Sequence, residues 1–323
     1  MWTTAPDADT GGAIRPTEVS RDGDGNPRRE ANPETPDRPP SGRAMYTSLG
    51  PGDIGIDLPF PEAAAIAADT GFDAIQLDPG YLADHGPEAY HELLDEHDLR
   101  TGSMGVPVDV TGDADDYEDG LAALDEVAAD AAAVGCERAS TYILSFSDER
   151  DFDTNFEFHR ERLEPVADTL ADHGIRLGLE FLGPQTLREG HEHDFVHTST
   201  GMLDLCEAVG DNVGLLLDSW HWHTAGASVE RLESLANDDI VDVHVNDAPA
   251  DLAMVEYVDS ERAMPGETGV IDIATFLGHL DAVDYDGPVM VEPFSDELPA
   301  LDDREAARRT AESLERVWDV AGL

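Results

Sequence analysis

Residues 213–218 read VGLLLD and are followed at once by SWHWH at 219–223. An apolar run that ends at a carboxylate is typical of a buried strand whose C-terminal end reaches a polar site. The same form recurs in 175–181 (IRLGLEF), 240–246 (IVDVHVN) and 288–292 (PVMVE). These repeats predict parallel strands that bring polar side chains to one edge of a sheet.

Strand-like segments alternate with amphipathic stretches from Met45 to Leu323, and several stretches end in Gly, as helices commonly do. Eight such units in about 280 residues predict an α/β fold of the (β/α)8 TIM-barrel type. A doubly wound open sheet is the alternative, but YTSLGPGDIG after the first strand lacks the G-x-G-x-x-G loop. The predicted strands lie near 45–56, 73–78, 100–106, 138–145, 175–181, 213–218, 240–246 and 288–292.

Residues 1–44 differ from the rest in composition. They are rich in Pro and Gly and contain few large apolar residues, and their hydrophobic residues do not recur with the spacing of a helix or a strand. Such a segment buries too little apolar surface to offset the entropy lost on ordering. We therefore expect a disordered tail at 1–44 and one catalytic barrel domain at 45–323.

The charge of the chain is extreme, because 71 acidic residues face 19 basic residues and the net charge is −52. Such a surface repels itself in dilute buffer, whereas at about 1 M salt the Debye length falls to about 3 Å. We therefore expect a protein from a halophilic organism. The same charge argues against a nucleic-acid partner, since phosphates are bound by basic grooves.

All 19 basic residues are Arg, and the chain contains no Lys. Schiff-base catalysis, pyridoxal-phosphate attachment and a P-loop each need a lysine, so composition excludes these classes. Two cysteines, no secretion signal and no apolar run of membrane-spanning length predict a cytoplasmic protein without a membrane partner. We expect Cys136 and Cys206 to be small buried residues. The sequence is compatible with a homo-oligomer, although it contains no pattern of apolar residues that would identify a dimer interface.

Strand parity predicts which side chains face the barrel interior. In 240–246, for example, Val241, Val243 and Val245 form an apolar face suited to packing under helices. The opposite face of four consecutive strands carries polar side chains near the C-terminal ends, where TIM-barrel active sites lie. These side chains are Glu180, Asp218, His244 and Glu292.

Three carboxylates and an imidazole that converge unpaired would raise each other's pKa values, and a divalent cation resolves this conflict. The oxygen-rich set predicts Mn²⁺ first, with Mg²⁺, Co²⁺ or Zn²⁺ as alternatives. His221, on the loop after Asp218, is better placed to touch a substrate. For any one of these carboxylates taken alone, solvation or pairing with an Arg is the competing interpretation.

Two loops carry further polar residues. His191, His193 and His197 follow the fifth strand, and they predict either a second metal site or one histidine in the pocket with the others solvated. Asn246 and Asp247 follow the seventh strand and could orient His244 or cap the next turn. The long loop from 247 to 269 is typical of a lid.

Over 45–323 the chain resembles the xylose-isomerase-like TIM-barrel superfamily of sugar-phosphate isomerases and epimerases. The resemblance rests on GLEFLGPQTLR, LLLDSWHWH, VHVNDAP, RAMPGETGVID and GPVMVEPF, in that order. It implies that one metal is held by Glu180, Asp218, His244 and Glu292. It also implies that His221 and Arg262 bind substrate, although the turn after Arg262 is Pro-Gly-Glu-Thr-Gly, one residue longer than the common P-G-E-G.

The resemblance further implies a sugar or sugar phosphate as substrate and Glu180 and Glu292 as catalytic residues. One glutamate removes the proton next to the carbonyl, and a cis-enediolate forms. The other returns the proton from the opposite face, while His221 and Arg262 stabilise the developing negative charge. The hydride shift of true xylose isomerases is disfavoured, because it uses a lysine.

Three alternatives stay open at this point. An inosose dehydratase would begin with the same proton removal and then expel water. An apurinic-site endonuclease relative would need more metal ligands on the early strands, where His85, His91 and His97 all lie on helix-like segments. A non-catalytic sugar-binding barrel would not need the glutamate pair.

Overall fold

The computed structural model describes residues 45–295 and 297–323, which form the predicted (β/α)8 barrel. The predicted tail at 1–44 lies outside the described residues. The strands are β1 (Tyr46–Leu49), β2 (Ala74–Ile75), β3 (Arg100–Thr101), β4 (Met104–Gly105), β5 (Arg138–Ile143), β6 (Phe146–Ser147), β7 (Arg176–Phe181), β8 (His193–Asp194), β9 (Val213–Asp218), β10 (Ile240–His244) and β11 (Pro288–Met290). The helices are α1 (Phe60–Thr70), α2 (Pro79–His97), α3 (Ala114–Ala133), α4 (Phe152–Asp172), α5 (Ser199–Val209), α6 (Ser219–Thr224), α7 (Val229–Leu232), α8 (Ile273–Ala282) and α9 (Asp303–Ala321).

Nine of these strands form one parallel sheet in the order β3-β2-β1-β11-β10-β9-β7-β5-β4. The two end strands, β3 and β4, are separated by only two residues along the chain. They are therefore two halves of one barrel position, with β3 paired to β2 and β4 paired to β5. The sheet thus closes into a ring of eight positions, and β6 and β8 form a separate antiparallel pair.

The sixth connection of the barrel differs from the prediction of one helix per unit. It contains two short helices, α6 and α7, instead of one long helix. Helix α6 begins directly after β9, and the Asp218 side chain accepts a hydrogen bond from Trp220 N at its first turn. His221, which was expected on a loop, therefore lies on the short helix α6 at the end of the barrel strand.

Aspartates start most of the helices. The caps of α2, α3, α4, α6, α8 and α9 are Asp78, Asp113, Asp151, Asp218, Asp272 and Asp302, and each accepts from a backbone N–H of the first turn. A cap of this kind contributes about 1 kcal/mol, and its charge suits the positive end of the helix. Part of the acidic surplus therefore has a structural role.

The predicted strand alternation is interrupted at Val241. A β-bulge between Ile240 and Asp242 shifts the register of β10 against β9. A Cβ placed on the inward-facing Gly214 would lie 3.0 Å from Val241 Cγ2, so Val241 also faces the interior. The prediction that Val241 packs under the helices is wrong, because the extra residue of a bulge interrupts the alternation.

Two smaller features follow from burial and length. Cys136 and Cys206 are both buried and free, as expected for small apolar residues. Among the described helices, none combines the length and apolar character needed to cross a bilayer.

Candidate metal centre

The four side chains predicted to share an ion lie together at the C-terminal ends of adjacent barrel strands. Glu180 lies in β7, Asp218 ends β9, His244 ends β10, and Glu292 follows β11 by two residues. Each offers one ligand atom, and these four atoms lie within 4.8 Å of one another. Parallel pairing sets His244 directly beside Asp218, so the backbone register itself creates the cluster.

Two atoms of this cluster lack a hydrogen-bond partner. Glu180 Oε1 and His244 Nδ1 are buried and unpartnered within 45–295 and 297–323. Leaving a buried polar group unpaired costs about 1–3 kcal/mol, and a divalent cation between the four side chains would satisfy both atoms. Three carboxylates with one imidazole suit Mn²⁺, Mg²⁺ or Co²⁺ and admit Zn²⁺, so the residues fit the predicted ion.

Arg262 reaches the same carboxylates from the loop after β10. Its Nη1 donates to Asp218 Oδ2 at 2.9 Å and to Glu292 Oε2 at 3.0 Å. Its Nη2 donates to Asp259 Oδ1 at 3.0 Å, a partner that sequence reasoning missed. The only sequence signal for Asp259 is its position three residues before Arg262. The buried guanidinium therefore offsets part of the negative charge of the cluster.

The environment pushes the pKa values of the two glutamates in opposite directions. Burial, reinforced by the charge of Glu292, raises the pKa of Glu180 well above its usual range. Burial would also raise the pKa of Glu292, but nearby His244 and Arg262 outweigh it and lower the value. The two carboxyl groups thus differ in proton affinity although they lie in one cluster.

His221 is fully buried beside this cluster. Its Nδ1 lies 3.2 Å from the Gly183 N–H, and its Nε2 lies 3.3 Å from Arg262 Nη2 and 3.7 Å from Glu180 Oε1. Burial and the positive charges of Arg262 and His244 hold the pKa of His221 well below its usual value. The imidazole is therefore neutral near pH 7. A Cβ on Gly183 would lie 2.3 Å from His221 O, so only glycine permits this close approach.

Asn246 and Asp247 bind other parts of the site than His244, whose orientation was one of the two roles predicted for them. Asn246 Nδ2 donates to both Asp218 oxygens, at 3.1 and 3.3 Å, and Asn246 Oδ1 accepts from Glu292 N at 3.1 Å. Asp247 is buried and binds backbone N–H groups of the loop that carries Arg262. The sequence did not decide between the two roles, because strand alternation gives the face of a side chain but not its partner.

The histidines after β7 do not form a second centre. His191 Nδ1 lies 2.9 Å from Asp148 Oδ2, and its ring stacks on Phe146 at 3.5 Å. His197 Nδ1 lies 2.7 Å from Phe195 O. Throughout the described ranges, the Glu180 cluster is the one group of three or more His, Cys, Asp or Glu side chains close enough to share an ion.

Two further residues near the C-terminal end of the barrel were not predicted from the sequence to be ligands or catalytic residues. Tyr142 pairs with Glu180 across β5 and β7, and its side chain is 59% exposed whereas Glu180 is buried. Asp53 follows β1 in a short 3-10 helix, Gly52–Ile54. The pKa of Asp53 is raised to about 7, mainly by burial, because the opposing charge of His244 offsets only part of that effect.

Comparison with known proteins supports this architecture. Residues 64–317 match the family model described as the xylose isomerase-like TIM barrel. A xylose isomerase domain protein from Alicyclobacillus acidocaldarius subsp. acidocaldarius has a TM-score of 0.77 and 26% identity, over 86% of this chain and 100% of that one. A zinc-bound IolI protein has the same fold, with a TM-score of 0.72 and 21% identity over 86% and 99%.

Relatives of known name match part of the chain. An inosose isomerase from Bacillus velezensis is 32% identical over 158 residues, 49% of this chain and 53% of the relative. A 3-dehydroshikimate dehydratase from Pseudomonas aeruginosa is 32% identical over 145 residues, 44% and 21% of the two chains. A ketose 3-epimerase from Arthrobacter globiformis is 30% identical over 138 residues, 42% and 41%. The chain therefore spans about half the length of the inosose isomerase that it matches, and less of the other two.

Proposed function

Since the chain belongs to the xylose isomerase-like TIM barrel family, we propose that it is a metal-dependent sugar or sugar-phosphate isomerase or epimerase. Its substrate class is a small polyhydroxylated ketone. The convergence of Glu180, Asp218, His244 and Glu292 within 4.8 Å carries this proposal. The inosose isomerase and ketose 3-epimerase among its relatives support the substrate class.

Each member of the site has a role in this proposal. A divalent ion bound by the four side chains supplies Lewis-acid polarisation of the substrate carbonyl. Glu180 and Glu292 share the proton transfer, one removing the proton next to the carbonyl and the other returning it. The neutral His221 and the cationic Arg262 donate hydrogen bonds to oxygens that gain negative charge in the enediolate.

A dehydratase is the second candidate, and the 3-dehydroshikimate dehydratase relative favours it. The first step is the same, because a proton is removed next to a carbonyl. The reactions diverge when a hydroxyl on the neighbouring carbon leaves as water. Return of the proton to the original carbon inverts it, and return to the former carbonyl carbon isomerises the ketone.

Solvent-deuterium exchange tests the proposal without knowledge of the product. The Mn²⁺-loaded protein is incubated in D₂O with an inosose, D-fructose, L-ribulose and 3-dehydroshikimate, and products are identified by NMR and mass spectrometry. We expect deuterium next to the carbonyl of at least one ketone, abolished in Glu180→Gln and Glu292→Gln. Loss of water from that ketone would assign the dehydratase, and absence of exchange in all four would overturn the proposal.

A further inference from the structure

Asp259 lies three residues before Arg262 on the loop after β10, and the proposed reaction gives it no role. Its carboxylate Oδ1 accepts a hydrogen bond from Arg262 Nη2 at 3.0 Å, and its backbone oxygen accepts from Arg262 Nε at 3.1 Å. The same Oδ1 accepts from the indole Nε1 of Trp220 at 3.2 Å, and Trp220 is fully buried on α6. Asp259 therefore joins the loop that carries Arg262 to the helix that carries His221.

Arg262 also has acceptors that an ion in the Glu180 cluster would not claim. Its bonds to Asp218 Oδ2 and Glu292 Oε2 go to carboxylates proposed to hold that ion. In addition, Nε donates to Asp259 O, Nη2 to Asp259 Oδ1 and Nη1 to Glu292 O, at 3.0 to 3.1 Å. Each of the three guanidinium nitrogens thus keeps an acceptor outside the ligand set, and two of these three acceptors belong to Asp259.

The hydrogen bond between Gly183 and His221 fixes which imidazole nitrogen carries the hydrogen. A backbone N–H can only donate, so His221 Nδ1 accepts from Gly183 N at 3.2 Å. A ring that accepts at Nδ1 is neutral and carries its hydrogen on Nε2. His221 Nε2 and Arg262 Nη2 are therefore both donors, although they lie only 3.3 Å apart. They do not bond to each other, and each needs an acceptor.

The two donors differ in how they are satisfied. Arg262 Nη2 donates to Asp259 Oδ1, as described above. The carboxylate oxygens Asp259 Oδ1 and Glu180 Oε1 both lie 3.7 Å from His221 Nε2, which is beyond hydrogen-bond distance. The buried N–H of His221 is thus left, among the described residues, without an acceptor, beside a guanidinium that Asp259 holds in place.

We propose that Asp259 is a positioning residue that holds Arg262 beside His221, so that both side chains donate to one oxygen of the substrate. This inference rests on the proposed function, in which that oxygen gains negative charge in the enediolate. Donors that are fixed before the reaction stabilise developing charge without the cost of reorientation. Without Asp259, the guanidinium would lose two of its acceptors and would no longer be fixed against His221.

Kinetics of deuterium exchange test whether Asp259 acts through Arg262. For the ketone that exchanges, we expect Asp259→Ala to lower kcat about 10- to 100-fold and to change KM less than about threefold, since displaced donors weaken binding of the developing charge most. Asp259→Asn keeps an acceptor oxygen and should restore part of kcat. In Arg262→Gln, adding Asp259→Ala should lower kcat no further. The matched control is Glu261→Ala, which removes an exposed carboxylate next to Arg262 and should leave kcat within about twofold.

Nitrogen-15 NMR of the Zn²⁺-loaded protein tests the positioning without turnover. A guanidinium held by hydrogen bonds rotates slowly, so its Nη hydrogens give separate signals, and those of Arg262 are identified by their absence in Arg262→Gln. We expect separate signals in the wild type and Glu261→Ala and averaged signals in Asp259→Ala.

Unchanged kcat or unchanged Arg262 signals in Asp259→Ala would overturn the inference. An equal loss of kcat in Glu261→Ala, or a further loss when Asp259→Ala is added to Arg262→Gln, would overturn it as well. Failure of the proposed function would differ, since no ketone would exchange deuterium although the Arg262 signals still depended on Asp259.

Discussion

Arg262 Nη1 lies 2.9 Å from Asp218 Oδ2, and neither side chain has more than 1% of its surface exposed. The same nitrogen lies 3.0 Å from Glu292 Oε2. Both carboxylates belong to the cluster proposed to hold the ion, so a guanidinium and a metal ion draw on the same oxygens. In a chain without lysine, arginine alone supplies this fixed positive charge.

Arg262→Gln is expected to make stability depend more strongly on metal. Removing one partner of a buried ion pair leaves uncompensated charge, so the metal-free variant loses roughly 3–5 kcal/mol. Mn²⁺ should then raise the melting temperature of Arg262→Gln more than that of the wild type, as calorimetry at constant salt can measure. Arg309→Gln on the exposed face of α9 is the control and should change neither value appreciably. Equal Mn²⁺ increments in Arg262→Gln and wild type would contradict this account.

Asp247 is expected to tolerate neither Ala nor Asn. Its Oδ1 accepts from Ala248 N and Ile271 N at 2.8 and 2.9 Å, and its Oδ2 accepts from Thr268 N and Gly269 N at 3.0 and 2.7 Å. An Asn amide would set an NH₂ donor against two N–H donors, so Asp247→Asn should cost about as much as Asp247→Ala, roughly 2–4 kcal/mol.

The same change should loosen the loop that positions Arg262. Asp247 also forms a backbone bridge with Ala263, next to Arg262. Hydrogen–deuterium exchange of residues 262–271 should therefore accelerate in Asp247→Asn, and kcat/KM should fall at least about tenfold. Asp251→Asn, at an exposed position of the same loop, is the control. Unchanged protection of 262–271 would show that Asp247 does not hold this loop.

The buried His159 predicts a loss of stability on acidification. Burial lowers the pKa of His159 to about 4, and its ring stacks on Phe195 at 5.1 Å. The unfolded chain binds this proton below about pH 6.5 and the folded chain only below about 4. Its contribution is therefore complete above about pH 6.5 and is lost as the pH falls toward 4, by roughly 3 kcal/mol.

Unfolding free energies between pH 7 and pH 4 check this assignment. His159→Phe keeps an aromatic ring against Phe195 but cannot titrate, so its stability should fall less steeply with acid than that of the wild type. The exposed His85 serves as the control through His85→Gln, which should retain the wild-type slope. A His159→Phe slope equal to that of the wild type would contradict the assignment.

The net charge of −52 predicts a requirement for salt. Lowering salt from about 1 M to about 0.01 M lengthens the Debye length from about 3 Å to about 30 Å, so repulsion between surface carboxylates grows. We expect the melting temperature to fall and the protein to unfold or aggregate after dialysis, as calorimetry and light scattering can show. Sucrose, which does not screen charge, should not replace the salt. A folded, monodisperse sample at low salt would contradict the halophilic interpretation.

The barrel and the cluster follow from sequence because both depend on strand periodicity. The alternation of IRLGLEF and VGLLLD places Glu180 and Asp218 on the inner face, and parallel register then aligns strand ends. The bulge at Val241 could not be predicted in the same way, because nothing in the sequence of 240–246 distinguishes a bulged strand from a regular one.

Residues on loops were harder to predict, for a physical reason. Asp53 and Asp259 lie outside regular strands, where no period ties sequence position to direction. Their contacts depend on distances set by the closed barrel, such as the 3.2 Å between Asp259 Oδ1 and Trp220 Nε1. In a chain with 71 acidic residues, an isolated loop Asp carries little information before the fold is known.

The convergence of Glu180, Asp218, His244 and Glu292 predicts that these four side chains bind one divalent ion. Titration of chelator-treated protein with Mn²⁺, followed by calorimetry and electron paramagnetic resonance, tests it most directly. We predict one ion per chain in the wild type and at least about 100-fold weaker binding in His244→Ala, with intact folding shown by circular dichroism. Wild-type protein that binds no stoichiometric Mn²⁺, Co²⁺ or Zn²⁺, or a His244→Ala variant that binds as tightly as the wild type, would contradict the claim.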